Sequence, residues 1–253
     1  MAVSPDPEAD PSLVPHGTSA LLDHPVFEVM PSAVRSALSA TARWHALEAD
    51  EALPEHSLYF LVRGAVGLFA RGSRTCIGVV GPGTVLGWEG AVKSQADHTA
   101  RALIDCQGYA APVQAVQDLL GTGWSRRFLA AHTASRARIL GSEAACRQQH
   151  APAERLAKWI LFLAHAGGYQ DGMALDKARF ASLLHLSVEE MEAACTALVE
   201  QQALKRAPGG HCVPDLERLA SVSCGCDDNL QDGAVERRLR KRPVRRRGRQ
   251  PPP

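Results

Sequence analysis

The 253-residue sequence lacks several features that would assign it to a class at once. It has no run of 18 or more apolar residues, so we expect no membrane span. Its first residues, MAVSPDPEADPSLVPHG, are acidic and proline-rich, whereas a signal peptide is basic and then apolar. Aromatic residues are scarce, at 5%, although 45% hydrophobic residues suffice for a core. We therefore expect a cytoplasmic protein whose residues 1–20 are disordered, since they offer little apolar surface to bury.

The signatures of common enzymes are also missing. The sequence contains no GxSxG, HExxH or P-loop motif and no paired-glycine dinucleotide fingerprint. Its ten histidines are dispersed. We expect no enzymatic activity and no cofactor.

Seven cysteines are scattered along the chain, and none forms a CxxC pair. In a reducing compartment such cysteines are usually free, buried thiols. Cys224 and Cys226 form a C-x-C, which is closer than the ligand spacing of the usual zinc site. Plain thiols without a metal are the expectation, and a metal or redox role stays open as the alternative.

The net charge of +1 conceals a strong asymmetry. Nine of the 28 basic residues, but only one acidic residue (Glu236), follow position 235, which leaves residues 1–235 with a net charge of −7. The sequence therefore predicts an acidic body with a basic tail.

The hydrophobic pattern changes twice along the chain. Between Trp44 and Val113, short apolar runs alternate with glycine-containing turns, which indicates an antiparallel roll, sandwich or barrel. Residues 124–149 then predict one long helix. Its seam of apolar and small residues suits either pairing across a dimer or packing on the β domain. That seam comprises Phe128, Ala131, Ser135, Ile139 and Ala145.

The remaining pattern is helix, helix, turn, helix and hairpin, which is the order of a winged helix. A strong apolar stripe follows Pro152, and the segment DKARFASLLHLSVEEMEAACTALVEQQAL (176–204) reads as two short helices around a tight turn. The sequence 208–210, Pro-Gly-Gly, predicts the tip of the hairpin.

The segments LYFLVRGAVGLF, GVVGPGTVLGW, EAACRQQHAPAERLAKWIL and LERLASVSCGCDD, in this order, resemble the Crp/Fnr family of bacterial transcription regulators. The likeness covers about residues 21–226 and is strongest to a proteobacterial branch without iron–sulfur cysteines. It implies an α+β fold with an N-terminal antiparallel β-roll of the cyclic-nucleotide-binding type (21–122), a long central dimerisation helix (123–150) and a C-terminal winged helix-turn-helix (151–222). We expect residues 223–253 to form a disordered tail that contains cysteines and basic residues.

The effector pocket that the resemblance implies departs from the pattern of cyclic-AMP-binding members. Those members follow a Gly-Glu segment with an Arg-Ser pair that holds the cyclic phosphate. Here Gly87 and Glu89 lie in the first segment, but His98 and Thr99 occupy the Arg and Ser positions. Because His is mostly neutral at pH 7, it cannot replace the permanent bidentate clamp of Arg. We expect no response to cyclic AMP, and the signal, a small molecule or a protein, is unknown.

The implied recognition helix is acidic. Members that read guanines carry arginines near the positions of Val188 and Ala193. Glu189 can accept a hydrogen bond from cytosine N4, whereas Glu190 and Glu192 would repel phosphates. The candidate DNA contacts are Lys177, Arg179, Ser187, Glu189, Glu190, Lys205 and Arg206, together with Arg237, Arg238, Arg240, Lys241 and Arg242 of the tail.

Three interpretations of the acidic helix remain open. In the first, which we favour, a homodimer binds double-stranded DNA with affinity from the tail and with few base contacts. In the second, the winged helix has lost base readout and binds a protein partner. In the third, the acidic face is merely solvated surface.

Overall fold

The computed structural model describes residues 19–73, 75–88, 98–168, 173–174, 177–206 and 211–226. The first elements are a short helix α1 (Ser19–Leu22), a 3₁₀ helix (Pro25–Val29) and α2 (Ser32–Thr41). Their apolar side chains form a buried cluster with Phe60 and Trp88 of the following domain. Of the N-terminal segment predicted to be disordered, residues 1–18 lie outside the described residues, while Ser19 and Ala20 begin α1.

Two antiparallel sheets form the N-terminal domain, as the alternating sequence pattern predicts. The strands are β1 (Arg43–Leu47), β2 (Ser57–Arg63), β3 (Val66–Ala70), β4 (Cys76–Val80), β5 (Val85–Leu86), β6 (His98–Ala102) and β7 (Cys106–Pro112). One sheet has the strand order β1-β7-β2-β5 and the other has the order β4-β3-β6. Apolar residues of both sheets share one buried cluster, so this predicted β-roll is confirmed.

The predicted long helix lies within α3 (Val113–Gln149), which bends at Gly121, where φ is +69° and ψ is 162°. Beyond the bend, one face of α3 packs on the β-roll: the rings of Phe128 and Trp88 lie 4.6 Å apart, and Ile139 lies beside Gly78 of β4. Phe128, Ser135 and Ile139 of the predicted seam are therefore buried within the chain itself. Neither α3 nor another helix of the described segments is long and apolar enough to span a membrane.

A winged helix-turn-helix follows, as predicted. Its helices are α4 (Pro152–Gly167), α5 (Lys177–Leu184), α6 (Val188–Glu200) and α7 (Leu216–Val222), and its small sheet consists of β8 (Met173–Ala174), β9 (Leu204–Arg206) and β10 (His211–Pro214). The sheet has the antiparallel order β8-β10-β9. The predicted hairpin tip at 208–210 lies outside the described residues.

The first residues after α7 are not the start of a disordered tail. The segment 223–226 returns to α3, where Cys224 Sγ lies 3.7 Å from Cys146 Sγ. This contact corrects the prediction of disorder from residue 223 onward for the first four residues. The rest of the predicted tail, residues 227–253, lies outside the described residues.

The winged helix and the β-roll share one hydrophobic core. Phe162 of α4 belongs to the same buried cluster as Leu61, Val66 and Val80 of the β-roll. Its ring also lies so close to Gly81 that a Cβ there would come within 2.8 Å of it. The two domains therefore bury one another's apolar surface.

We expect Phe162→Ala to destabilise the whole chain by about 3–5 kcal/mol, because it removes a large side chain from this shared core. Urea unfolding followed by circular dichroism should still show one cooperative transition, at a lower midpoint. Leu119→Ala, at a residue that is 40% exposed, is the control and should change stability by less than about 0.5 kcal/mol. Two separate transitions in either protein would contradict the shared core.

Candidate nucleic-acid interface

Helices α5 and α6 form the helix-turn-helix. Between them His185 adopts a left-handed backbone with φ +53°, and Leu186 N–H donates to the carbonyl oxygen of Ala181. Four apolar side chains of this motif are buried: Phe180, Leu183, Met191 and Leu198. Because these side chains face inward, the other side of α6 is exposed.

A capping box starts α6. Ser187 Oγ accepts from Glu190 N–H at 3.1 Å, and Glu190 Oε2 accepts from Ser187 N–H at 2.8 Å. Ser187 thus caps the helix, and Glu190 stabilises the same turn. The exposed Glu189 lies in this turn too, where hydrogen bonds from its own backbone N–H and from Ser187 lower the pKa of its carboxyl group. Negative charge here is favourable because the helix N-terminus carries partial positive charge.

Two of the predicted DNA-contacting cations form ion pairs with other residues of the same chain. Lys177 of α5 pairs with Glu192 of α6 at the surface. Arg179 pairs with Asp50 at 3.1 Å and donates to the carbonyl oxygen of Ala102 at 3.2 Å, so it faces the β-roll. The predicted repulsion between Glu192 and phosphates is therefore partly offset by Lys177, and Arg179 is held at the junction of the two domains.

The outward face of α6 carries little that could read bases. Its exposed residues are Val188, Glu189, Glu190, Ala193, Thr196 and Glu200, and residues 188–200 contain no Lys or Arg. Lys205 is exposed on β9 of the wing, and the backbone of Arg206 follows it in the same strand. The tail candidates Arg237, Arg238, Arg240, Lys241 and Arg242 lie outside the described residues.

The predicted effector residues lie on different sheets. Gly87 follows β5 and adopts φ +93°, and a Cβ there would collide with the carbonyl oxygen of Ser57. His98 and Thr99 begin β6 of the other sheet, opposite Ala70 and Phe69 of β3. Glu89 lies outside the described residues. Because the backbone of Ser57 leaves no room for a side chain at position 87, the glycine there has a structural reason that is independent of any ligand.

Sequence reasoning missed two features of this region. One is the junction formed by Arg179 and by His185, whose Nε2 lies 2.8 Å from the carbonyl oxygen of Cys76. The other is the return of Cys224 and Cys226 to α3. Both join residues more than 70 positions apart, and no local sequence pattern signals such contacts.

The comparisons with known proteins agree with this architecture. The family model of the cyclic nucleotide-binding domain matches residues 48–122. FixK2 from Bradyrhizobium japonicum superposes with a TM-score of 0.53 and 22% identity, over 73% of this chain and 98% of that one. The chain has the fold of the Crp/Fnr transcription regulators.

Two more structures support this Crp/Fnr fold. The CRP-family transcriptional regulator TTHB099 from Thermus thermophilus gives a TM-score of 0.54 at 18% identity, over 71% of this chain and 96% of that one. A protein assigned to the Crp/Fnr family from Eubacterium rectale gives 0.60 at 13% identity, over 78% and 97%. No curated protein matches the sequence. The resemblance inferred from the sequence is therefore confirmed at the level of the fold.

We expect Ser187→Ala to destabilise the protein by about 1 kcal/mol, since it removes the hydroxyl that caps α6. Ser187→Asp, which keeps an oxygen at the same place, should retain most of that stability. Urea unfolding of the two variants beside the wild type makes the comparison. Equal midpoints for all three would show that the cap contributes nothing.

Proposed function

We propose that the protein is a cytoplasmic, homodimeric transcription regulator of Crp/Fnr type that binds double-stranded DNA. The observation that carries the proposal is the helix-turn-helix of α5 and α6, with the outer side of α6 exposed and a β9–β10 wing beside it. The winged helix supplies a binding element of the right shape for a major groove. A regulator of this kind is a binding protein and not an enzyme.

The acidic residues of α6 are compatible with this proposal. Glu190 closes the capping box and Glu192 pairs with Lys177, so both have roles within the fold. Glu189 is exposed and suited to accept from cytosine N4. With so few base contacts, we assign most of the affinity to the basic tail, whose arginines would neutralise phosphates largely without reading sequence.

The pair of contacts between the winged helix and the β-roll offers a route for regulation. Arg179 pairs with Asp50, and His185 contacts the backbone of Cys76. A change in the β-roll would therefore alter the contacts that position the helix-turn-helix. A signal that favours one arrangement would shift the population of DNA-competent protein. With His98 in place of a phosphate-binding Arg, that signal is not cyclic AMP but another small molecule or a protein.

The exposed side of α3 supports the homodimer. Small residues recur there at seven-residue spacing, away from the buried Ile139: Ala130, Ala137, Gly141 and Ala144 are exposed and Ala134 is half-buried. Positions 130, 137 and 144 share one register, and positions 134 and 141 share another, which is the pattern of a two-helix seam. Such small side chains let two helices approach closely, so we place the dimer contact on this face.

A protein-interaction module is the second candidate. It is favoured by one observation, the lack of Lys and Arg on the outward face of α6. In that case the acidic face would bind a basic partner surface.

We expect the full-length protein to bind a random-sequence duplex with a steep salt dependence, and a chain stopped after Val235 to bind much more weakly. For each phosphate that the missing tail no longer neutralises, the slope of log K against log salt should fall by about 0.9. Fluorescence anisotropy across a salt series measures both quantities. Cyclic AMP should leave the curves unchanged, and tighter binding in its presence would contradict the proposed pocket chemistry.

The matched control keeps the length of the tail and removes charge, by changing Arg237, Arg238, Arg240 and Arg242 to Gln. It removes four of the nine basic residues, so its affinity and salt slope should lie between those of the full-length and the truncated chain. Equal binding by all three proteins would show that the winged helix alone supplies the affinity. If none of them binds DNA, the regulator proposal fails and the interaction module takes its place.

We expect Ala137→Glu to convert the dimer into a monomer, because it puts two carboxylates into a closely packed seam. Sedimentation velocity measures the change. Ala33→Glu, at an exposed position of α2, is the same substitution elsewhere and should leave the dimer intact. A wild-type protein that sediments as a monomer at micromolar concentration would refute the homodimer.

A further inference from the structure

Three thiols and an imidazole converge where the chain returns to the end of α3. Cys146 lies in the last turn of α3, and His150 is its C-cap residue. Cys224 and Cys226 follow α7. The sulfur atoms of Cys146, Cys224 and Cys226 all lie within 4.8 Å of one another, and Cys226 Sγ lies 3.5 Å from His150 Nε2.

We propose that Cys146, His150, Cys224 and Cys226 bind a structural Zn²⁺ ion. Three thiolates and one imidazole are a common ligand set of closed, four-coordinate zinc sites. Soft sulfur ligands also favour zinc over magnesium or calcium, which prefer oxygen.

Two of the separations between ligand atoms match those of tetrahedral zinc. Zn–S bonds of about 2.3 Å at the tetrahedral angle separate two sulfurs by about 3.8 Å, and a Zn–N bond of about 2.0 Å brings sulfur and nitrogen to about 3.5 Å. Cys146 and Cys224 have their sulfurs 3.7 Å apart, and Cys226 and His150 have their ligand atoms 3.5 Å apart. Both separations are compatible with ligands that share one metal ion.

The backbone holds the four ligands in place. Cys146 and His150 are one helical turn apart, and His150 N–H donates to the carbonyl oxygen of Cys146 at 3.1 Å. Residues four apart on a helix project from the same face, as the two zinc ligands of HExxH motifs do. Between Cys224 and Cys226, Gly225 adopts a left-handed φ of +64°, which turns the chain within the short C-x-C.

Groups around the cluster match those that surround metal sites. Glu154 Oε2 lies 3.7 Å from His150 Nδ1, the ring nitrogen on the other side from Cys226. Carboxylates commonly orient a zinc-binding histidine through a hydrogen bond, and Glu154 lies at ion-pair distance from this nitrogen. The buried Lys158 Nζ lies 3.5 Å from Cys146 Sγ, so its positive charge is available to a thiolate.

Because thiolates are the ligands of zinc, binding of the ion would release the protons of the three thiols.

The site would join the end of the winged helix to the end of α3. Its ligands span 80 residues in sequence but meet near the connection between α3 and α4. They include Cys226, the last described residue before the basic segment. An effect on DNA binding would rest on the proposed function, whereas metal binding itself does not.

The test uses the full-length protein purified without chelators under reducing conditions. Elemental analysis should find about one zinc per chain, and cobalt substitution should give the intense visible bands of tetrahedral sulfur coordination. Cys224→Ser and His150→Ala should each weaken zinc binding by at least about tenfold in a chelator competition. Cys195→Ser, at a buried thiol of α6, should leave stoichiometry and affinity unchanged.

A second measurement on the wild type avoids variants that fail to fold. Zinc should slow the alkylation of the half-buried Cys224 and Cys226, and a chelator should restore it. No bound zinc, no protection, or equal affinity of Cys224→Ser would overturn the site. A Cys146–Cys224 disulfide that forms equally fast with and without zinc would also overturn it, in favour of a redox pair. These assays contain no DNA, so their failure is distinct from a failure of the regulator proposal.

Discussion

The buried ion pair between Lys158 and Glu143 fixes how the central helix meets the winged helix. Lys158 Nζ lies 2.7 Å from Glu143 Oε1, and the lysine side chain is fully buried. Two charges taken out of water are costly, and the loss of either partner would leave the other unpaired in the core. The pair therefore disfavours any register between α3 and α4 that would separate these two charges. Since α4 also carries the shared hydrophobic core, that register sets where the winged helix lies on the β-roll.

The remaining contacts between the domains follow from that placement. Phe162 meets Gly81, Gly64 N–H donates to the carbonyl oxygen of Ala166 at 2.8 Å, and Arg179 reaches Asp50. The first two are buried or lie in the backbone, whereas the ion pair of Arg179 is open to solvent. Exposed ion pairs contribute little to stability, so the contacts of α4 stabilise the junction between the domains more than the Arg179 ion pair of α5 does. A weak junction at the helix-turn-helix is what a regulated element needs, because a modest signal can then shift it.

Sequence patterns predicted the elements better than their contacts. The glycine-punctuated runs indicated the β-roll, and the apolar stripe after Pro152 indicated the first winged-helix helix, because both patterns are local. The partner of α3 could not be deduced, since a helix with apolar residues on one side and small residues on the other suits two neighbours. In the structure Phe128 and Ile139 face the β-roll, and most of the small residues on the opposite side of α3 are exposed. Both faces can be recognised in the sequence, but the sequence does not say which face packs against the β-roll.

The candidate sites show more clearly that local sequence patterns do not reveal contacts between distant residues. A C-x-C is an unconvincing metal motif by itself, because its other ligands lie 74 to 80 positions away and only the fold brings them together. Likewise, the glutamates of α6 look unsuited to a polyanion when only the helix is considered. Glu190 caps the helix and Glu192 pairs with Lys177, so both carboxylates have roles within the fold, while Glu189 and Glu190 keep their negative charge at the exposed start of α6. A polyanion would therefore meet the charge of this helix end and of the acidic body together, and the basic residues after position 235 are the segment with enough positive charge to offset it.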